Sequence, residues 1–224
     1  MNSLDFSNYK YPQYLWCKEI ASALEKLNLD ASNYIDAPCG NGVISYWLQK
    51  HFNQANFQLM DIDENSIAAA NQLAEGNSQL EVSLGDIYNF STPYDREETV
   101  FLLINSLFLL PETEKLLSII HRSSAYSVVI LPHIEHKNFK TFYKKRPNYP
   151  LHYHESMSNV DQLFRDNGFS LLYSKEICNI AHHTLPKLPI IYNLLLKICN
   201  LIEPRLKRKS PAYYLLIYKN DETN

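Results

Sequence analysis

Short apolar runs alternate with segments of helical period along most of the chain. Tyr34-Ile35-Asp36 reads as a brief strand, and after Asn41 the residues Val43, Ile44, Trp47 and Leu48 fall on one helical stripe. Asn56 to Met60 predicts a second strand ending at Asp61, followed by a helix through Ile67, Ala68 and Leu73 that Gly76 can cap. Gln79 to Leu84 predicts a third strand ending at Gly85-Asp86. Thr99 to Ile104 is unbroken and apolar, as in a strand buried on both faces. Pro111 opens a helix through Leu116, Leu117 and Ile120, and Tyr126 to Leu131 forms a fifth strand. Val160 to Asn167 then reads as a helix capped by Gly168, with strands at Phe169 to Glu176 and Ala212 to Tyr218. At the front, Trp16, Ile20, Leu24 and Leu27 mark a helix beginning in an aromatic stretch that includes Phe6, Tyr9, Tyr11 and Tyr14.

Five β-then-α units predict a doubly wound, mainly parallel sheet in an α/β fold. The last two strands lack such a crossover and are separated by a 182–210 insert carrying a helix from Leu188 to Glu203. No repeat, low-complexity stretch or linker divides the chain. One domain over 1–224 is expected, with 1–32 as an N-terminal lid or helix.

Composition narrows the function. At 46% apolar and 12% aromatic, the 224 residues can build a large core. The 21 basic and 24 acidic side chains give a net charge of −3, against a dedicated nucleic-acid binder. Cys17, Cys39, Cys178 and Cys199 form no CxxC pair, which argues for a reducing compartment and against a zinc ribbon. The first residues lack a signal-peptide pattern, and the run from Val100 to Leu110 falls short of the roughly 18 residues of a spanning helix. A soluble, cytoplasmic protein is expected.

Glycine is scarce, and two of the five glycines stand one residue apart in Asp36-Ala37-Pro38-Cys39-Gly40-Asn41-Gly42. A chain so sparing places glycine where the backbone needs positive φ or something must come close. The loop joins the first strand to the first following helix, whose free N–H groups and dipole suit a polar or anionic ligand group. Asp61 ends the second strand, where a carboxylate can accept both ribose hydroxyls. Asp86 ends the third, placed to meet an adenine amino group while Ile87 packs on the ring. A dinucleotide site is the competing reading, but Val43-Ile44-Ser45 follows where a third glycine belongs. Asp36 would also repel a pyrophosphate, whereas it suits the sulfonium and ammonium of S-adenosylmethionine.

These residues resemble the class I S-adenosylmethionine-dependent methyltransferases. The 36–42 loop is similar to their D-x-G-x-G-x-G motif, with Pro38 in place of the first glycine, as in a variant of members acting on small molecules. Leu59-Met60-Asp61-Ile62-Asp63 resembles their ribose motif, Gly85-Asp86-Ile87 their adenine motif, and Ile104-Asn105-Ser106-Leu107 their segment after strand four. The resemblance covers roughly residues 30–176. It implies a Rossmann-like sheet of about seven strands with an antiparallel closing strand, S-adenosylmethionine as cofactor, and methyl transfer to a small-molecule acceptor. It implies Asp36, Pro38, Cys39, Gly40, Asn41, Gly42, Asp61, Ile62, Asp86, Ile87, Asn105 and Ser106 as cofactor contacts. Acceptor contacts are expected from Tyr14 and Tyr153, with His133, His152 or His154 a candidate base. The alternatives are an NAD(P)-binding oxidoreductase and a non-catalytic binding protein on the same fold.

Each residue also has a plainer reading. Asp36 and Asp61 can serve as helix caps, Cys39 as a small apolar residue, and Asn105 as a strand-end hydrogen bonder. His133 and His136, or His152 and His154 beside Glu155, lack a third metal ligand at suitable spacing, so no metal is expected. The aromatic N-terminus either packs its helix or covers the cofactor, where rings attract a sulfonium. From Leu185 to Glu203 the insert is too apolar for one solvated stripe, and Lys207-Arg208-Lys209 follow. That pairing suits a peripheral membrane or amphiphilic partner, and the plainer reading is docking on the sheet or on a second subunit as a homodimer.

Overall fold

The computed structural model describes residues 11–29, 31–133, 140, 144, 156–177 and 213–221, without the side chains of 11, 12, 14 and 15. The helix expected at 188–203 lies outside these residues. Seven strands form one sheet: β1 (Asn33–Asp36), β2 (Asn56–Asp61), β3 (Leu80–Leu84), β4 (Thr99–Ile104), β5 (Tyr126–Pro132), β6 (Phe169–Ile177) and β7 (Tyr213–Asn220). Their spatial order is β3-β2-β1-β4-β5-β7-β6. The first five run parallel, and β7 is antiparallel to β5 and β6. Strand order reverses between β1 and β4, which opens a crevice above their C-terminal ends.

The helices are α1 (Tyr11–Lys26), α2 (Val43–His51), α3 (Glu64–Ala74), α4 (Thr113–Ser123) and α5 (Met157–Asp166). On one face of the sheet Trp16, Ile20, Leu24, Ile44 and Leu48 meet Tyr34, Phe57, Leu59, Val100 and Val128. On the other, Leu116, Leu117, Ile120, Val160 and Phe164 meet Ile35, Phe101, Leu103, Val129 and Tyr218. Every residue of β4 except Ile104 is buried, as its unbroken apolar run requires. Alternate β4 side chains serve opposite faces, so one strand anchors both cores.

The third crossover differs from expectation. Residues 85–98 hold two short 3-10 turns, Ile87–Asn89 and Arg96–Glu98, rather than an α-helix. Asn89-Phe90-Ser91-Thr92-Pro93 has no helical stripe to extend, and Ile87 and Phe90 are buried in the second core instead. The fourth helix starts at Thr113, two residues after Pro111, because Leu107–Leu109 forms its own turn first.

Candidate functional site

The 36–42 loop is tied down from both sides. The Cys39 N–H donates to the Met60 carbonyl at 2.9 Å, and the Gly42 N–H donates back to the Cys39 carbonyl at 3.1 Å. The Ala37–Pro38 peptide is cis, and Pro38 is half-buried. Gly40 and Gly42 both have positive φ, 54° and 69°, yet for different reasons. A Cβ on Gly42 would stand 2.8 Å from Leu59 Cδ2 and 3.0 Å from Ala70 Cβ, so that glycine lets α2 close on β2 and α3. A Cβ on Gly40 would meet nothing within 4 Å. Asn41 is exposed beside it. Gly42 stands at the N-cap of α2 without a side-chain bond, so no cap side chain fills that helix end.

Beneath the loop lies Asp36, fully enclosed. Its Oδ2 accepts a 2.6 Å hydrogen bond from the hydroxyl of Ser45, the third residue of α2. Its Oδ1 has no hydrogen-bond partner among the described residues. Burial pushes the Asp36 carboxyl up to about 7; the Ser45 bond opposes this, and the nearby Asp61 charge adds to it. The Cys39 thiol is likewise pushed up by burial and by the Asp36 and Asp61 charges, which leaves it a protonated, unreactive group.

Asp61 clamps the loop rather than capping a helix. Its Oδ2 accepts from the Gly40 N–H at 2.7 Å and its Oδ1 from the Asp63 N–H at 2.9 Å. The cap of α3 is Asp63, which accepts from the Ser66 N–H at 2.8 Å. Each oxygen of Asp61 retains a further lone pair. Beside it Ile62 is 72% exposed, an apolar side chain held out at the rim, and Leu84 at the end of β3 is 55% exposed. Asp86 does act as a cap, accepting from the Tyr88 N–H at 2.9 Å, while Ile87 points into the second core.

The rim over β4, β5 and β7 is made of other groups. Asn105 adopts φ 55°, rare for a residue with a side chain, and donates its N–H to the Ile130 carbonyl at 2.9 Å. Ser106 is buried, its hydroxyl without a partner among the described residues. His133 follows β5, half-buried, its imidazole stacked on Tyr214 at 5.3 Å and 27°. On the opposite face Tyr213 meets Trp16 edge-on at 4.9 Å. The Tyr14 side chain, His136, His152, Tyr153, His154 and Glu155 lie outside the described residues. Among the described residues no three His, Cys, Asp or Glu side chains gather as a metal site.

The structure therefore brings Asp36, Pro38, Cys39, Gly40, Asn41, Gly42, Asp61, Ile62 and Asp86 to one stretch of rim, over β1 to β3. Sequence reading missed Ser45, Tyr213 and Tyr214. Ser45 carries a signal in retrospect: a small hydroxyl at an otherwise apolar helix position, facing back to the strand that ends in Asp36. The donor set is acidic, with an open glycine, an orphaned carboxylate oxygen and an exposed apolar side chain. It fits a cationic nucleoside without phosphates, such as S-adenosylmethionine.

Comparison with known proteins agrees. Residues 35–125 match the methyltransferase domain family. No curated protein matches the chain in sequence. Among solved structures, it is similar to magnesium protoporphyrin IX methyltransferase from Synechocystis with bound SAH, S-adenosylhomocysteine (16% identity, TM-score 0.62, covering 94% of this chain and 84% of that one). It is similar to a putative sarcosine dimethylglycine methyltransferase from Galdieria sulphuraria (10%, TM-score 0.66, 93% and 86%). A third is the plantazolicin methyltransferase BpumL, in complex with a triazolic desmethylPZN analog and SAH (14%, TM-score 0.63, 97% and 88%).

Proposed function

We propose that this chain is an S-adenosylmethionine-dependent methyltransferase that transfers the cofactor's methyl group to a small-molecule acceptor; the match of residues 35–125 to the methyltransferase domain family and the shared fold support this reading. The bound cofactor supplies an electrophilic methyl on a sulfonium. In the proposed arrangement Asp61 receives the ribose hydroxyls with its spare lone pairs, Ile62 covers one adenine face, and Asp86 meets the adenine amino group. Gly40 leaves room for the methionine moiety, and Asp36 sets a negative potential beneath it.

The observation that carries the acceptor class is the β5–β7 rim. His133 stacked on Tyr214 offers ring faces to a compact organic acceptor, with Tyr213 packed on buried Trp16 behind the other face of the same strand end. The structural neighbours point the same way, since their names give a porphyrin, an amino acid derivative and a triazolic compound. Transfer requires an in-line approach of nucleophile to methyl, so holding the acceptor and excluding water supply most of the rate. In this reading His133, at the end of β5, is the candidate base that takes the proton of an acceptor hydroxyl or amine. His152, Tyr153 and His154 keep their proposed acceptor roles on sequence grounds, as does the 182–210 segment for an amphiphilic acceptor.

Incubating the protein with methyl-labelled S-adenosylmethionine and fractionated cell extract tests this. Label is expected in the low-molecular-weight fraction. Label confined to protein or nucleic acid overturns the acceptor class.

A further inference from the structure

We propose that Ser45 is a positioning residue which keeps Asp36 ionised for the cationic methionine moiety, and so makes cofactor binding proton-linked. The inference rests on the cofactor reading above and adds a residue and a dependence to it.

The argument begins with an imbalance. Asp36 and Ser45 are both buried, and Asp36 has only one hydrogen bond among the described residues, the 2.6 Å bond from Ser45 to Oδ2. An enclosed carboxylate normally gathers several donors. Here Oδ1 has none. The groups that face Asp36 offer no positive charge. Cys17 from α1 and Cys39 from the loop sense its charge, and burial holds both thiols protonated. Asp61 from β2 is another carboxylate, and β4 presents apolar Leu102 in register. Ser45 is thus the sole side-chain donor to Asp36 among the described residues. A hydrogen bond to a charged group favours the charged form. With the Asp36 carboxyl held near 7, the loss of that bond changes how much of it is ionised under working conditions.

The sign follows. The α-ammonium that S-adenosylmethionine and S-adenosylhomocysteine share is drawn to ionised Asp36, so the affinity of either falls as pH drops through the carboxyl midpoint. Removing the Ser45 hydroxyl raises that midpoint by about one pH unit, the worth of one hydrogen bond to a charged group.

Calorimetric titration with S-adenosylhomocysteine from pH 5.5 to 8.5 tests it on the whole chain. The wild-type protein is expected to lose affinity below a midpoint near 7, and Asp36→Asn to give a flat profile. Ser45→Ala is expected to bind about fivefold more weakly at pH 7 and within about twofold of wild type at pH 8.5. The Asp36 carboxyl carbon resonance, followed without ligand, should show the same upward shift. Ser45→Cys keeps the size with a weaker donor and should shift the midpoint in the same direction, which covers a failure of the alanine variant to fold. An unmoved midpoint in the folded variants, or a flat wild-type profile, overturns the inference alone. Wild-type protein that binds no S-adenosylhomocysteine at any pH overturns the cofactor reading and the inference together.

Discussion

The two halves of the strand-end rim are built by different means. Over β1 to β3, carboxylates are fixed by backbone and hydroxyl donors: Asp61 by Gly40 and Asp63, Asp86 by Tyr88, Asp36 by Ser45. Over β5 and β7, rings are held against rings, His133 on Tyr214 and Tyr213 on Trp16. Hydrogen bonds to backbone set a group's place within tenths of an ångström, whereas ring faces tolerate sliding and tilt. A half that always meets the same cofactor suits the first construction. A half that must suit one acceptor out of many suits the second.

The glycines give the widest contrast within the first half. Gly42→Val should cost about 3 kcal/mol or more, since a side chain at positive φ would be driven into Leu59 and Ala70. Gly40→Ala meets no atom and should cost only the backbone strain of about 1–2 kcal/mol, while still weakening S-adenosylhomocysteine binding by filling the open space. Urea unfolding beside calorimetry measures both. Equal losses of stability would break the distinction between a packing glycine and a ligand glycine.

A second effect follows from Asp36. Its carboxyl lies near 7 in the folded chain against 3.8 ordinarily. Below about pH 4 both folded and unfolded chains hold the proton, and this contribution to stability is complete. Between about 4 and 7 only the folded chain holds it, so stability falls as pH rises, by at most about 1.4 kcal/mol per pH unit. Above 7 the loss is complete and the curve is flat. Asp36→Asn should remove that slope, leaving a difference from wild type that changes between pH 5 and 7 and stays constant from 7.5 to 8.5. A difference constant from pH 5 upward would mean that Asp36 is already ionised throughout.

What could be read from the sequence was local. Asp36 and Asp61 each close a short strand and Asp86 follows the third by two residues, all visible locally, and the paired glycines mark their own loop. The parallel run of β1 to β5 follows from alternating strands and helices. What escaped reading depends on partners distant in sequence. Asp61 looks like the cap of α3 until Asp63 is found capping it, which frees Asp61 to reach Gly40, 21 residues earlier. The third crossover lacks a helical stripe at Asn89-Phe90-Ser91-Thr92-Pro93, which is local, but the burial of Ile87 and Phe90 in the core under α4 depends on distant partners. Tyr213 and Tyr214 read as ordinary strand residues. Only the antiparallel pairing of β7 with β5, which sets Tyr213 against Pro132, brings them to the rim.

The smallest effect tests whether the halves are separable. Tyr214→Leu removes the ring under His133 while keeping an apolar side chain in β7, and a stacked pair contributes about 0.5–1.5 kcal/mol beyond its buried area. Stability should therefore fall by about 1 kcal/mol or less. Because Tyr214 lies on β7, separated from β1 by β4 and β5, affinity for S-adenosylhomocysteine should stay within about twofold, as it would for any change below roughly 0.4 kcal/mol. Methyl transfer into the low-molecular-weight fraction should drop severalfold, because an imidazole without its ring support no longer holds one orientation toward the acceptor. His133→Gln should reproduce the drop if the imidazole itself is used, and should leave transfer unchanged if the ring pair only shapes the wall. If Tyr214→Leu weakens cofactor binding as much as it slows transfer, the rim acts as one unit and the division between a fixed cofactor half and an adaptable acceptor half fails.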